Sequence, residues 1–130
     1  MKDGKLGQVD AGGLGGDVVY SIAGGKDELW LGRRRGGLTR LRMAGATAEV
    51  KTYTRADGLA QDSVYSVHAA RDGSVWAGTL GGGVSKLHEG KFTVFTMANG
   101  LASNTVAAIL EDAEGTMWFA TPTGLSALAK

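Results

Sequence analysis

An all-β fold is predicted for this chain by three recurrences in its 130 residues. One motif occurs three times, as Leu14-Gly15-Gly16-Asp17-Val18-Val19-Tyr20-Ser21-Ile22, Leu59-Ala60-Gln61-Asp62-Ser63-Val64-Tyr65-Ser66-Val67 and Leu101-Ala102-Ser103-Asn104-Thr105-Val106-Ala107-Ala108-Ile109. A tryptophan run follows each copy: Leu29-Trp30-Leu31-Gly32, Val75-Trp76-Ala77-Gly78 and Met117-Trp118-Phe119-Ala120. The leucines lie 45 and 42 residues apart, the tryptophans 46 and 42. Short strand-like runs at that period are the signature of a propeller or a stacked β array, in which no unit can bury its own faces.

The second repeat gives the unit most clearly. Ser63 to His68 is apolar and β-branched, and Arg71-Asp72-Gly73-Ser74 reads as a hairpin turn. Strands follow over Val75–Thr79, Val84–His88 and Phe92–Thr96, separated by Gly81-Gly82-Gly83 and Glu89-Gly90-Lys91. That is a four-stranded antiparallel meander, the blade of a propeller. The first repeat supplies Val18–Ala23, Glu28–Gly32, Leu38–Arg42 and Glu49–Tyr53. Thr105–Leu110, Thr116–Thr121 and Leu125–Leu128 come from the third, which ends one strand short. The missing strand is expected from the N-terminus, because Asp3-Gly4-Lys5-Leu6-Gly7-Gln8-Val9 is similar to Glu89-Gly90-Lys91-Phe92-Thr93-Val94-Phe95.

The predicted architecture is therefore a single three-blade propeller segment over residues 1–130, with an outer strand in 1–11 and repeats in 12–56, 57–98 and 99–130. The N-terminal strand is expected to complete the last blade. Three blades are too few to close, so the ring is expected to close by oligomerisation through head-to-tail contacts. A dimer of six blades is the first expectation, within the usual range of four to eight, and a trimer of nine the second.

Composition narrows the functional classes. Fourteen basic and 13 acidic residues leave a formal net charge of +1, so no overall field draws in nucleic acid or an acidic membrane. No run approaches the roughly 18 apolar residues of a membrane span. The first seven residues lack the apolar core of a secretory signal, which fits either a cytoplasmic protein or a piece of something larger. With no cysteine there is neither a disulfide framework nor a thiolate nucleophile. The 22 glycines punctuate apolar runs as tight turns require.

Asp57-Gly58-Leu59-Ala60-Gln61-Asp62-Ser63-Val64-Tyr65-Ser66-Val67, with Asp72-Gly73-Ser74-Val75-Trp76-Ala77-Gly78-Thr79 and Gly82-Gly83-Val84, resembles the two-component regulator propeller repeat. Asn99-Gly100-Leu101-Ala102-Ser103-Asn104-Thr105-Val106, followed by Glu114-Gly115-Thr116-Met117-Trp118-Phe119-Ala120-Thr121, matches the same pattern, and the first repeat matches it more loosely. The resemblance implies β-propellers in the extracytoplasmic sensor region of bacterial hybrid histidine kinases, associated with detecting small ligands, often carbohydrates. The chain departs from that setting in carrying far fewer repeats and no kinase or DNA-binding segment.

Candidate site residues follow from the repeat. Trp30, Trp76 and Trp118 suit packing between neighbouring blades, with carbohydrate stacking as the alternative. Tyr20 and Tyr65 stand in the innermost strand, where their third counterpart is Ala107, and packing is expected of them too. Asp17, Asp62 and Asn104 recur just before that strand, as turn formers or as ligand contacts. Arg33, Arg34 and Arg35 break the repeat, standing where Thr79-Leu80-Gly81 stands in the second. They form either a solvated charged hairpin or a site for a carboxylate, sulfate or phosphate. His68 and His88 are non-equivalent and lack metal-site spacing, and neither a dinucleotide fingerprint, a phosphate loop nor a nucleophile elbow is present. Hence no metal, cofactor or catalytic residue is expected.

The predicted function is non-catalytic binding, sensor-type or lectin-like, of a carbohydrate or small anion by an oligomeric propeller. The alternative is a protein-interaction or structural scaffold, an excised or engineered propeller fragment with no ligand of its own.

Overall fold

The computed structural model describes Gly4 and residues 6–9, 13–25, 27–44 and 47–130, except the side chain of Ala44. Among the described residues, eleven strands fall into three antiparallel sheets. The first holds β1 (Val19–Gly24), β2 (Leu29–Arg33), β3 (Leu38–Ala44) and β4 (Thr47–Tyr53) in that order. In the second, β5 (Val64–Ala69), β6 (Val75–Thr79), β7 (Val84–His88) and β8 (Lys91–Phe95) repeat the arrangement. The third has three strands, β9 (Ala108–Glu111), β10 (Met117–Thr121) and β11 (Gly124–Leu128). Each sheet is a meander, as the alternation of β-branched and aromatic runs with tight turns requires. The β7–β8 turn shows the local chemistry: Glu89 and Gly90 both have positive φ, the mirror-image turn that matches strand twist, and His88 then pairs with Lys91.

The expected N-terminal strand does not complete the last blade within the chain. Residues 6–9 lie in no strand and are exposed, while Asp3 and Lys5 fall outside the described residues. The third sheet keeps three strands because this segment precedes the first blade and the sheet it would complete is the last. A smaller difference concerns β9, which begins at Ala108, not Thr105. Before it pairs with β10, the backbone of Val106 is engaged across the blades, donating to the Thr79 carbonyl at 3.0 Å.

Packing runs from blade to blade. Trp30 and Leu38 of the first blade bury against Leu59, Val64, Val67 and Val75 of the second. Trp76 and Val84 of the second bury in turn against Leu101, Val106, Met117 and Phe119 of the third. Each of these indoles also stacks on the last strand of its own blade, Trp30 on Tyr53 (6.0 Å) and Trp76 on Phe95 (5.8 Å). Burying roughly 200 Å² of indole at about 25 cal/mol/Å² is worth up to about 5 kcal/mol. One tryptophan therefore carries a sizeable part of a domain's net stability.

The indole N–H groups are satisfied inside their own blades by the preceding hairpin turn. Trp30 donates to Glu28 at 3.3 Å, Trp76 to the Ser74 hydroxyl at 3.1 Å and Trp118 to Asp112 at 2.9 Å. Asp112 also accepts from the backbone N–H of Glu114 and Thr116 at 2.9 Å. The bond from Trp118, against a smaller opposing effect of burial and with the help of these backbone donors, holds its carboxyl below the ordinary aspartate range.

Blades approach closely enough to exclude a methyl group. At Gly32 an added Cβ would stand 2.8 Å from the Val64 carbonyl oxygen, and at Gly78 it would stand 2.7 Å from that of Val106 and 2.2 Å from the Ser66 hydroxyl. The third blade carries Ala120 at this position, opposite Ala108 on β9 where Ser66 stood on β5. The hydroxyl that would clash is absent there.

Two outcomes are expected. Gly78→Ala costs about 1–3 kcal/mol by overpacking, read as a lowered urea midpoint, and adding Ser66→Ala recovers part of it; an unchanged midpoint in the single variant removes the close-approach account. Asp112→Asn destabilises at pH 7. Because the folded carboxyl titrates below its unfolded value of about 3.9, the wild-type advantage is full above that value and fades as pH falls through the folded one. The gap between the urea midpoints of the two proteins should therefore narrow as pH is lowered below about 3.9; a constant gap would exclude the carboxylate as the cause.

Candidate ligand-binding rim

The loops after the tryptophan strands and the segments leading into the inner strands meet on one rim. Arg34 N donates to the Val18 carbonyl at 3.0 Å, Leu80 N to that of Ser63 at 3.1 Å, and Gly81 N to the Gln61 side chain at 2.7 Å. In the third blade the Thr123 hydroxyl donates to the Ala102 carbonyl at 2.8 Å. Adjacent blades are stitched here as well: Gly37 N donates to the Asp62 carbonyl and Gly83 N to that of Asn104, at 2.9 and 2.7 Å.

Asp17, Asp62 and Asn104 build this rim from within. Asp62 Oδ1 accepts from Arg55 N at 2.9 Å and Asn104 Oδ1 from Met97 N at 2.8 Å. Both bonds pin a single 3-10 turn that Thr54 or Thr96 caps. Asp17 does different work. It accepts from Val18 N (2.8 Å), Gly36 N (2.8 Å) and Arg35 N (3.2 Å), and pairs with the Arg33 guanidinium at 3.2 Å. Burial pushes its carboxyl up, but the three N–H donors and the Arg33 charge together hold it below the ordinary value.

The arginine run divides accordingly. Arg33 is buried, tied to Asp17 and within 3.4 Å of both the Gly13 carbonyl and the Thr39 hydroxyl. It is a structural cation. Arg34 and Arg35 are exposed, and neither guanidinium forms an ion pair among the described residues. Their backbones are nonetheless fixed, Arg34 between Val18 and the Ser63 hydroxyl, Arg35 through Asp17. A hydrogen-bonded base thus carries two forks with no ion pair among the described residues.

Beside them lies a feature the strand pattern did not reveal. The pairing of β1 with β2 shifts between Val19 and Ser21, and that of β5 with β6 between Val64 and Ser66. Tyr20 and Tyr65 are the extra residues, and such bulges re-aim a side chain. Their rings meet edge to face at 4.8 Å across two blades, with Tyr20 exposed. Period-two reading cannot detect the added residue, because Val-Tyr-Ser is compatible with an unbroken strand.

The histidines fall elsewhere. His68 meets Glu111 of the next blade at 3.0 Å, and Arg71 approaches the same carboxylate at 3.5 Å. The His68 bond, opposed by burial and reinforced by Arg71, keeps Glu111 below its ordinary value. His88 is exposed beside Glu89 at 3.6 Å. Among the described residues no group of three metal-ligating side chains comes together. A groove of about 440 Å³ between the second and third blades, at the other end of the strands, sets Arg71, Lys86 and Lys130 against Asp72, Glu111 and Glu114, so its charges compensate one another.

Residues 100–123 match the family model described as two component regulator propeller. No curated protein matches the chain. Among solved structures, the extracellular domain of the hybrid two component system BT3049 from B. thetaiotaomicron is 26% identical with a TM-score of 0.77, over 88% of this chain and 16% of that one. PorZ, a bacterial surface component of the type-IX secretion system of Porphyromonas gingivalis, is 22% identical with a TM-score of 0.65, over 82% of this chain and 17% of that one. A streptogramin B lyase structure shares the fold at 17% identity and a TM-score of 0.56, over 86% of this chain and 40% of that one. The chain spans about a sixth of the length of the first two. The match to the two component regulator propeller model lies in the third repeat, and the fold of the chain is that of a β-propeller.

Proposed function

We propose that this chain is a ligand-recognition segment of a sensor-type β-propeller, acting without catalysis, and that its ligand is an acidic carbohydrate held on the rim of the first two blades. The observation that carries the reading is that the loop after β2 holds two exposed guanidiniums, Arg34 and Arg35, with no ion pair among the described residues, and that the bulged Tyr20–Tyr65 ring pair stands on the adjoining inner strands. Guanidinium forks match carboxylate or sulfate oxygens two at a time. Aromatic faces suit the C–H surface of a sugar ring. The setting of BT3049, an extracellular domain of a hybrid two component system, supports a sensor role.

A non-catalytic reading is supported by how the rim's polar groups are employed. Asp17 is held ionised by three N–H donors and Arg33, and Asp62 and Asn104 serve the turns. Acid–base work requires a group free to exchange a proton near neutral pH.

The test is an array of neutral, uronate-containing and sulfated oligosaccharides probed with the parent chain and with Arg34→Ala/Arg35→Ala. Acidic glycans should be retained by the parent, and the double variant should lose about tenfold or more in affinity, the worth of one charge-assisted forked contact. Equal retention by both proteins, or no acidic glycan retained by either, would defeat the reading. Arg33→Ala is unsuitable here, since it strands the buried Asp17 and tests folding.

A further inference from the structure

The three blades expose equivalent positions very unequally. Ile22 is 62% exposed, whereas Val67, its counterpart in the second blade, is 8% exposed and covered by the first. Val19 and Leu29 are likewise exposed where Val64 and Val75 are buried. At the other end the imbalance reverses face. Leu125 is 64% exposed, while Leu38 and Val84, which occupy its position opposite the Gly or Ala of the tryptophan strand, are fully buried under the next blade. Around Leu125 lies an open apolar hollow of about 490 Å³, lined also by Ala108, Leu110, Trp118 and Ala120.

We infer that these two faces are the halves of one joint, closed by a second copy of this chain packed head to tail. The joint repeats a contact the molecule already makes twice: Trp118 and Leu125 take the parts of Trp76 and Val84, and Val19, Ile22 and Leu29 of the second copy take those of Val106, Ile109 and Met117. Charge agrees with this register. Between the second and third blades His68 faces Glu111; at the new joint Leu110 stands in the place of His68 and Gly24 in that of Glu111, so both members of that charged pair are replaced together. The free edge of β11 lies where β7 receives β8, and residues 6–9 of the second copy, directly ahead of its first blade, supply the strand that the third sheet lacks. Contacts of this heterologous kind close into a ring when the rotation permits, and two copies give six blades.

The inference is independent of any ligand on the rim. Its test is the mass in solution, by light scattering, of the parent, of Ile22→Asp and of Leu125→Asp, with circular dichroism to verify sheet content. Both substitutions fall at exposed positions. The parent should run as a discrete multiple of the monomer and each variant alone as a monomer. An equal mixture of the two variants should regain a two-copy complex, because one retains an intact third blade and the other an intact first. That complex has a single joint and should dissociate at higher concentration than the parent. A folded monomeric parent at micromolar concentration overturns the inference. So does disruption by Leu125→Asp but not by Ile22→Asp, which would mean third blades meeting face to face, and so does a mixture that stays monomeric beside an assembled parent.

Discussion

Everything in this molecule depends on how closely one blade lies on the next. The sheets are flat units whose faces are apolar on both sides, and a meander of four short strands has no means of folding over itself. Burial is obtained only sideways, by setting an indole and an aliphatic side chain of one blade onto the first strands of the next. That contact needs the tryptophan strand bare at the point of approach, which is why glycine stands at 32 and 78, with the neighbouring carbonyl oxygen under 3 Å from where a Cβ would be. Remaining features, including the rim, are consequences of that spacing.

Much of this was legible in the residues. The 42- to 46-residue recurrence identifies the blade, and most strand boundaries follow from turn chemistry because most hairpins carry an Asp-Gly, Glu-Gly or Gly-Gly signal. Trp30 and Trp76 pack between blades as their equivalence implied. Trp118 has the same sequence environment, but among the described residues no blade packs onto it and it remains half-buried, a difference that no local pattern encodes. The N-terminal similarity to β8 was likewise real as a pattern, yet residues 6–9 form no strand in the single chain, since pairing depends on which edge is within reach.

That these loops meet on one rim was legible in the repeat, but the part each residue plays there was not. Grouping Arg33, Arg34 and Arg35 as one run treated three guanidiniums as equivalent, whereas Arg33 is the last residue of β2 and turns inward to Asp17, and Arg34 and Arg35 stand in the loop beyond it, in solvent. Asp17 and Asp62 look interchangeable by position but differ in duty. Asp62 serves a capped 3-10 turn, and Asp17 instead anchors the hairpin and its buried arginine. The bulged tyrosines were the feature least accessible to sequence reasoning, because a bulge is a property of two strands read together.

The way the indole N–H groups are satisfied reaches beyond stability. Each tryptophan finds its acceptor in its own hairpin, and the hydroxyl of Ser66 reaches a neighbouring main-chain carbonyl, a group any residue offers. Glu111 is the conspicuous exception, with partners chosen from the blade before it. A modular unit that keeps its directional demands at home can be duplicated, deleted or shuffled by recombination without stranding a donor in an apolar seam. Gene-level growth of such arrays then meets a steric requirement at the seam far more often than an electrostatic one.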